Sequence, residues 1–420
     1  MRKRIVIYGM NYAPELVGVG RYTGDLGAHF ASLGHEVCVI TATAHYPAWA
    51  PLEGPSANRW RREVLDGVEV HRCPLYLHPQ MRGFRRLLAP LSFAASSAVV
   101  ALREILRRRP HVVLAVEPTL AVAPLALVAA RWVGARTVLH IQDLEVDAAF
   151  ALGHLRSRGK LARFACACEG FLTARFDRVV TISNRMASRI AAKDVPASKL
   201  EVIRNWVDVD AITPLTGPSP YRQELGISDG VFVVQYAGSL GAKQGLGVLI
   251  DAARRLSGRR DIAFVIAGDG PMRGAVEAAA DELGNMILLP FQPEARMRDF
   301  LGLADLHVLP QEKDAADLVL PSKLGGMLAS GRRILVTAEA GTELAEFVEG
   351  CGDCIAPGDP DALAEAILRA SAKAESAGRV TRRLERAHSL AKSSIVEAFT
   401  KAALGEGDVG ACGGAARRAA

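Results

Sequence analysis

A chain of 420 residues, half of them hydrophobic, has the material for two or three packed domains and excludes a wholly disordered protein. Its formal net charge of +6 is unevenly placed: residues 1–205 carry 28 Lys and Arg against 16 Asp and Glu, a balance of +12, and the remainder carries 23 against 29, a balance of −6. The basic half asks for an anionic neighbour such as a membrane surface or a phosphate; no basic motif interleaved with aromatics is present, so no nucleic acid is expected.

Residues 5–9 read as a first strand, residues 20–33 as a helix closed by Gly34, and residues 36–41 as a second strand. The apolar run Ile5-Val-Ile-Tyr8 is too short for the core of a secretory signal, which favours the cytoplasm. Residues 44–62, with Tyr46, Pro47, Trp49 and Trp60, form a long irregular stretch of the kind that is functional or mobile. Asp66-Gly67 marks a hairpin turn. Residues 84–109, opening at Phe84 and closing on Arg109, show a long helical pattern. Arg82, Arg85, Arg86, Arg103, Arg107, Arg108 and Arg109 flank its apolar middle. Such a helix either docks on an anionic bilayer or packs on a sheet as a crossover with solvated arginines; the basic balance favours the bilayer. Strands at residues 111–116, 135–141, 177–182 and 200–204 alternate with a helix at 119–133 and another capped by Ser183. No run of 18 uncharged apolar residues occurs, so no membrane-spanning helix is expected.

Residues 206–223, with three prolines and no clear periodicity, read as a linker between domains at 1–205 and 224–385. A terminal helix at 386–404 and a disordered Gly/Ala-rich tail at 405–420 follow. The densest signal lies in residues 231–270. An apolar strand ends in Gly238-Ser239-Leu240-Gly241. A helix follows with Leu246, Leu249, Ile250 and Ala253 on one face. A second strand then ends in Gly268-Asp269-Gly270. Two parallel strands joined by a helix place both glycine turns at the carboxyl edge of a sheet, where ligands bind. With Lys243 beside the first turn they make a phosphate cradle. Further strands open near Met286, Leu306, Arg333 and Asp353.

Seven cysteines, odd in number and scattered, argue against a disulfide framework, and Cys351-Gly-Asp-Cys354 lacks a second pair for zinc. Asp208-Val-Asp210 has the look of a metal-binding pair but sits in the linker, so no metal is expected. The first loop, Gly9 to Gly20, lacks the G-x-G-x-x-G spacing, and the second strand ends in Ile40-Thr41-Ala42 with no acid for a ribose; both speak against a dehydrogenase.

At this point the chain resembles the GT-B glycosyltransferases of family four. The resemblance rests on Gly18-Val-Gly20-Arg-Tyr-Thr, Tyr236-Ala-Gly-Ser-Leu-Gly-Ala-Lys-Gln-Gly245, Ile266-Ala-Gly-Asp-Gly-Pro271, and Pro321-Ser-Lys-Leu324 followed by Met327-Leu-Ala-Ser-Gly331. Tyr8-Gly-Met-Asn-Tyr-Ala-Pro-Glu15, Arg72-Cys-Pro-Leu-Tyr76 and His140-Ile-Gln-Asp-Leu-Glu-Val-Asp147 resemble more closely the colanic-acid-type exopolysaccharide glycosyltransferases. The blocks lie within residues 4–400.

The resemblance implies an α/β protein of two facing Rossmann-like domains with a cleft between them, the first for the acceptor and the second for a nucleotide diphosphate sugar. It implies retaining sugar transfer, with GDP-fucose as a candidate donor, to a lipid-linked oligosaccharide at the inner face of the cell membrane. No cofactor and no metal are needed. Its donor-side residues are Gly18, Gly20, Gly238, Ser239, Lys243, Gly268, Asp269, Pro321, Ser322, Lys323 and Leu324. The two lysines supply cations, and backbone N–H groups near residues 18–20 and 322–324 supply dipoles. Asp143 is the first candidate for orienting or deprotonating the acceptor, with His140 and Gln142 on one face of its strand and Glu145 and Asp147 as runners-up. The slots where relatives carry a glutamate pair hold Leu318 and Gly326, with Asp317 out of register. Two other readings stand beside this one: a non-catalytic membrane-associated subunit of polysaccharide assembly, and a sugar-nucleotide epimerase.

Overall fold

The structure, a computed structural model, describes residues 1–15, 18–46, 49–78, 84–144, 160–241, 244–312 and 320–406. It divides the chain into two compact units, Met1–Arg204 with Ile395–Ala420, and Asn205–Ser394.

The first unit runs β1 (Arg4–Gly9), α1 (Val19–Ser32), β2 (Glu36–Ala42), β3 (Arg61–Leu65), β4 (Val68–Cys73), α2 (Phe84–Arg108), β5 (Val112–Glu117), α3 (Ala123–Val133), β6 (Arg136–Ile141), α4 (Lys160–Thr173), β7 (Arg178–Thr181), α5 (Asn184–Ala191) and β8 (Leu200–Val202). The eight strands are ordered β3-β4-β2-β1-β5-β6-β7-β8. Only β3 and β4 pair antiparallel, through a turn in which Asp66 and Gly67 both have positive φ, the conformation an Asp-Gly hairpin supplies. All six residues of β5 are buried, which is why a central parallel strand reads as an unbroken apolar run.

The second unit contains α6 (Pro220–Glu224), β9 (Phe232–Ala237), α7 (Leu246–Arg255), β10 (Ile262–Ala267), α8 (Arg273–Glu282), β11 (Met286–Leu289), α9 (Met297–Leu301), β12 (Leu306–Leu309), α10 (Lys323–Ala329), β13 (Arg333–Thr337), α11 (Glu343–Val348), β14 (Asp353–Ile355), α12 (Pro360–Ala372) and α13 (Ala377–His388). Its six parallel strands are ordered β11-β10-β9-β12-β13-β14. The predicted face of α7, Leu246, Leu249, Ile250 and Ala253, is buried in the core with Phe264, Ile266 and Leu363.

Two boundaries differ from the sequence reading. The stretch expected as a linker is built into the second unit. Val207 and Ile212 pack with Met327, Leu328 and Leu390, and the Val207 N–H donates to the Leu390 carbonyl at 2.9 Å. Its prolines interrupt periodicity without preventing burial, so composition misled. The Asp208 Oδ1 accepts from the N–H groups of Asp210 (3.1 Å) and Ala211 (2.9 Å), closing a local turn. The terminal helix expected at 386–404 is α14 (Lys392–Leu404). From Ile395 onward it belongs to the first unit, where Phe399 is fully buried against the His140 ring at a centroid distance of 4.8 Å. Most of the expected tail, residues 407–420, lies outside the described residues.

Helix α2 packs on α3 and on β1, β2 and β4, the crossover role, with Phe93, Ala101 and Ile105 turned inward. Its outer face leaves Leu91, Val99 and Leu106 exposed. The segment Leu88–Arg108 is long and apolar enough to cross a membrane by length and composition only, with a mean hydropathy of 1.3 over an 18-residue window that is one-third buried, a property shared with core helices of soluble proteins.

His140 and His307 are both enclosed, and burial pushes each imidazole down from 6.5 to about 3, helped at His307 by Arg332 and Arg383. The unfolded chain therefore takes up protons below pH 6.5 that the folded units refuse. Each histidine contributes stability that is present above that pH and lost as pH falls, by about 1.4 kcal/mol per pH unit. Thermal midpoints are expected to drop between pH 7 and 4, and to drop less steeply in a His140→Phe chain; equal slopes would refute the buried neutral imidazole.

Candidate active site

The second unit builds its site from the two glycine turns at the carboxyl ends of β9 and β10, which are register partners through Ala237 and Ala267. The Gly238 N–H donates to the Ala267 carbonyl (2.9 Å) and the Leu240 N–H to that of Asp269 (2.8 Å), so the turns lie against each other. Gly238 and Gly268 have φ of 133° and 147°. A Cβ on Gly268 would stand 1.9 Å from the Gly238 oxygen, so no other residue fits there. The Gly268 N–H is spent on Leu289 (3.1 Å), and the Gly270 N–H on the exposed Asp269 carboxylate (2.8 Å). These glycines thus shape the surface, and several of their amides are already committed.

Lys323 rises beside them from the first residue of α10. Its ammonium donates to the Tyr236 hydroxyl at 2.6 Å and lies 4.0 Å from the centre of that ring. The Tyr236 hydroxyl in turn donates to the Ser239 carbonyl at 2.7 Å. A Cβ on Gly238 would meet Lys323 Cε and Nζ at 3.0 Å, so the amino end lies directly over that glycine. Although part of the side chain is exposed, its nitrogen is enclosed by protein, and this desolvation lowers it to about 7. Burial likewise pushes the Tyr236 phenol upward. Tyr236 is a residue that sequence reasoning passed over as core; its position just before the glycine turn was the available signal.

The remaining donor-side candidates divide. Pro321 and Ser322 flank the lysine, with Ser322 exposed and making no capping bond to the helix. Leu324 is not a donor to phosphate in this structure: its side chain is buried in the core, and its N–H is spent on the Pro321 carbonyl at 3.0 Å. Gly326, a glutamate slot in relatives, is half-buried, and a Cβ there would already lie 3.0 Å from Leu301 Cδ1. A longer acid would be driven into the core. Lys243, Asp317 and Leu318 lie outside the described residues.

In the first unit Gly18 is the N-cap of α1 with φ 68° and makes no side-chain bond. Gly20 has an internal reason to be glycine, since a Cβ there would sit 2.3 Å from Glu15 Oε2. Glu15 is buried; its carboxylate accepts from the N–H groups of His45 and Tyr46, both at 3.0 Å, and from Asn11 Nδ2 at 2.9 Å. It ties the loop after β1 to the loop after β2. His45, also buried, donates from Nδ1 to the Thr43 carbonyl at 2.8 Å.

Expectation fails at His140. Strand alternation was expected to turn it toward an open site with Gln142, yet the ring is sealed by Phe399. Gln142 is buried as well, and its Nε2 has no hydrogen-bond partner among the described residues. Asp143 is only partly buried and is the one of the three that solvent reaches. Glu145 and Asp147 lie outside the described residues. Glu117, which sequence reasoning missed, is buried at the end of β5 opposite Ile141; an acid closing the run Val-Val-Leu-Ala-Val before a proline was its signal.

Among the described residues, Cys38, Glu69, His71 and Glu104 bring ligand-type atoms within 4.8 Å of one another. Arg108 fills that place instead: it donates to Glu104 (2.8 Å), Glu36 (3.1 Å) and Glu69, neutralising the carboxylates and clamping the end of α2 to the sheet. Burial pushes the Cys38 thiol up to about 12.

Comparison with known proteins accords with this architecture. The family described as "Glycosyl transferase 4-like domain" matches residues 17–206, and "Glycosyl transferases group 1" matches residues 231–373. The chain is 39% identical over 379 residues to the "Putative colanic acid biosynthesis glycosyl transferase WcaI" of Escherichia coli (strain K12), covering 87% of this chain and 92% of that protein. It is 25% identical over 238 residues to the "Probable glycosyltransferase WbjE" of Pseudomonas aeruginosa, with 56% and 59% covered. Sucrose-phosphate synthase from Thermosynechococcus elongatus superposes with a TM-score of 0.72 at 16% identity over 95% of this chain and 98% of that one. HepE of Anabaena, in complex with UDP and glucose, superposes with a TM-score of 0.66 at 17% identity over 95% and 99%. Two α/β units, each built on a mainly parallel sheet, together with these likenesses define the GT-B fold. Within that class the chain belongs to the family-four glycosyltransferases.

Replacing Gly268 by Ala is expected to cost about 2–4 kcal/mol in stability of the second unit, because the turn must open around the new carbon. Gly20→Ala is expected to loosen the first unit by displacing Glu15. Thermal unfolding of both variants checks this; a Gly268→Ala chain as stable as the parent would contradict the stacked turns.

Proposed function

We propose that this glycosyltransferase moves a sugar, with retained anomeric configuration, from a nucleotide diphosphate sugar to a lipid-linked saccharide during exopolysaccharide synthesis. The observation that carries the reading is the lysine held over stacked glycine turns at the carboxyl edge of a parallel sheet. Departure of a diphosphate concentrates negative charge on its bridging oxygen as the bond to the sugar carbon breaks. With several turn amides already committed, neutralisation falls to side-chain cations, Lys323 and, by the sequence reading, Lys243. Close backbone approach over Gly238 and Gly268 admits the diphosphate. The acceptor hydroxyl forms its new bond to the sugar carbon as the bond to the diphosphate breaks, and its proton passes to the departing diphosphate oxygen, with Asp143 as the orienting group. No cofactor or metal is assigned a step.

The nucleotide-sugar class is supported by HepE, whose structure was solved with UDP and glucose, and the polysaccharide class by the WcaI relative, whose name refers to colanic acid biosynthesis. GDP-fucose and UDP-glucose are the donors to compare first. The lipid-linked acceptor and a peripheral place on the inner face of the membrane draw on the basic balance of residues 1–205 and on the outer stripe of α2, Leu91, Val99 and Leu106, beside Arg103 and Arg107.

Thermal shifts with GDP, UDP, dTDP and ADP test the donor site. One nucleotide at a hundred times its Kd is expected to stabilise the protein by about 2.7 kcal/mol, and Lys323→Met to reduce that response. A flat response to all four in folded protein would overturn the reading.

A further inference from the structure

A partly buried lysine is ordinarily matched by a carboxylate, since an enclosed charge without a counter-ion is costly. Lys323 is matched differently. Among the described residues its nitrogen is held by a neutral hydroxyl and by the face of the same ring, and burial lowers its basicity. The tyrosine is itself locked, because its ring is buried in the core beneath β9 and its hydroxyl is spent on the Ser239 carbonyl within the glycine turn. The chain Lys323 to Tyr236 to Ser239 therefore joins α10 to the first turn and, among the described residues, sets no carboxylate against the lysine.

We propose that Tyr236 is a positioning residue for sugar transfer: its hydroxyl and ring face fix the Lys323 amino group over Gly238, where the diphosphate of the donor binds. This rests on the reading of the glycine turns as the donor site. The hydroxyl aims the amino group, and the ring stabilises the cation without neutralising it. An arriving diphosphate supplies the missing negative charge. Tyr236 thus acts through Lys323 and touches no substrate itself.

The test is a double-mutant cycle in the full chain, with calorimetric titration of UDP and GDP into the parent, Tyr236→Phe, Lys323→Met and the double variant. Phenylalanine keeps the ring and removes only the hydroxyl. Binding of the preferred nucleotide is expected to weaken about tenfold in Tyr236→Phe, the effect of losing a hydrogen bond to a charged group. The double variant is expected to bind no worse than Lys323→Met, because the tyrosine has nothing left to position. Binding in Tyr236→Phe equal to the parent, or losses that simply add, would overturn the positioning role while leaving the donor site standing. Failure of both nucleotides to bind the folded parent would overturn the donor-site reading and this inference with it. Should Tyr236→Phe not fold, acetylation of Lys323 in the parent decides: protection by the bound nucleotide is expected, and an unchanged rate would refute contact with the diphosphate.

Discussion

The second unit depends on how closely two backbones can approach. Gly268 lies so near the Gly238 carbonyl that a single added carbon would be 1.9 Å from the oxygen. That proximity follows from the parallel pairing of β9 and β10, which run in register to their last residues and then turn the same way. Hydrogen bonds between the turns hold them flat against each other. Only after the turns are so placed does Lys323 have a surface to lie over and Tyr236 a carbonyl to donate to. The site is thus a property of sheet geometry first and of side chains second.

The first unit solves a similar problem by other means. Its opening loop and the loop after β2 are drawn together by a buried carboxylate, Glu15, which accepts from two backbone N–H groups and an amide side chain. Charge-assisted bonds of this kind are strong and directional, and they stand in for the turn-on-turn contacts of the other unit. The space for Glu15 comes from Gly20. Two glycines read together as a phosphate loop therefore have different duties: Gly18 takes a left-handed conformation at the start of α1, and Gly20 makes room for an acid of the protein's own.

Much of the fold was legible in the sequence because local periodicity and parallel topology go together. Apolar runs of five or six residues separated by amphipathic helices require buried parallel strands, and the glycine turns at their ends locate a ligand edge. What was not legible depends on distant residues. His140 looks like a catalytic group in its own stretch, but it sits in a buried strand and Phe399, returning to the first unit, packs against its ring. Residues 206–223 look like a linker because prolines mask the pattern of Val207 and Ile212. The glycine at position 326 looks like a lost contact, and Leu301, remote in sequence, accounts for the lack of room there. Tyr236 had the composition of a core residue, and its hydroxyl acquires a role only through a lysine from a later helix.

The return of the chain at Ile395 also orders events on the ribosome. The first unit has all eight of its strands by Val202, yet the helix that packs Phe399 against His140 is made only after the second unit. The second unit, by contrast, is complete by Ser394. Synthesis from the amino end therefore inverts the usual sequence of maturation. The domain begun first is sealed last, and its exposed core must be sheltered while the whole of the other domain is made.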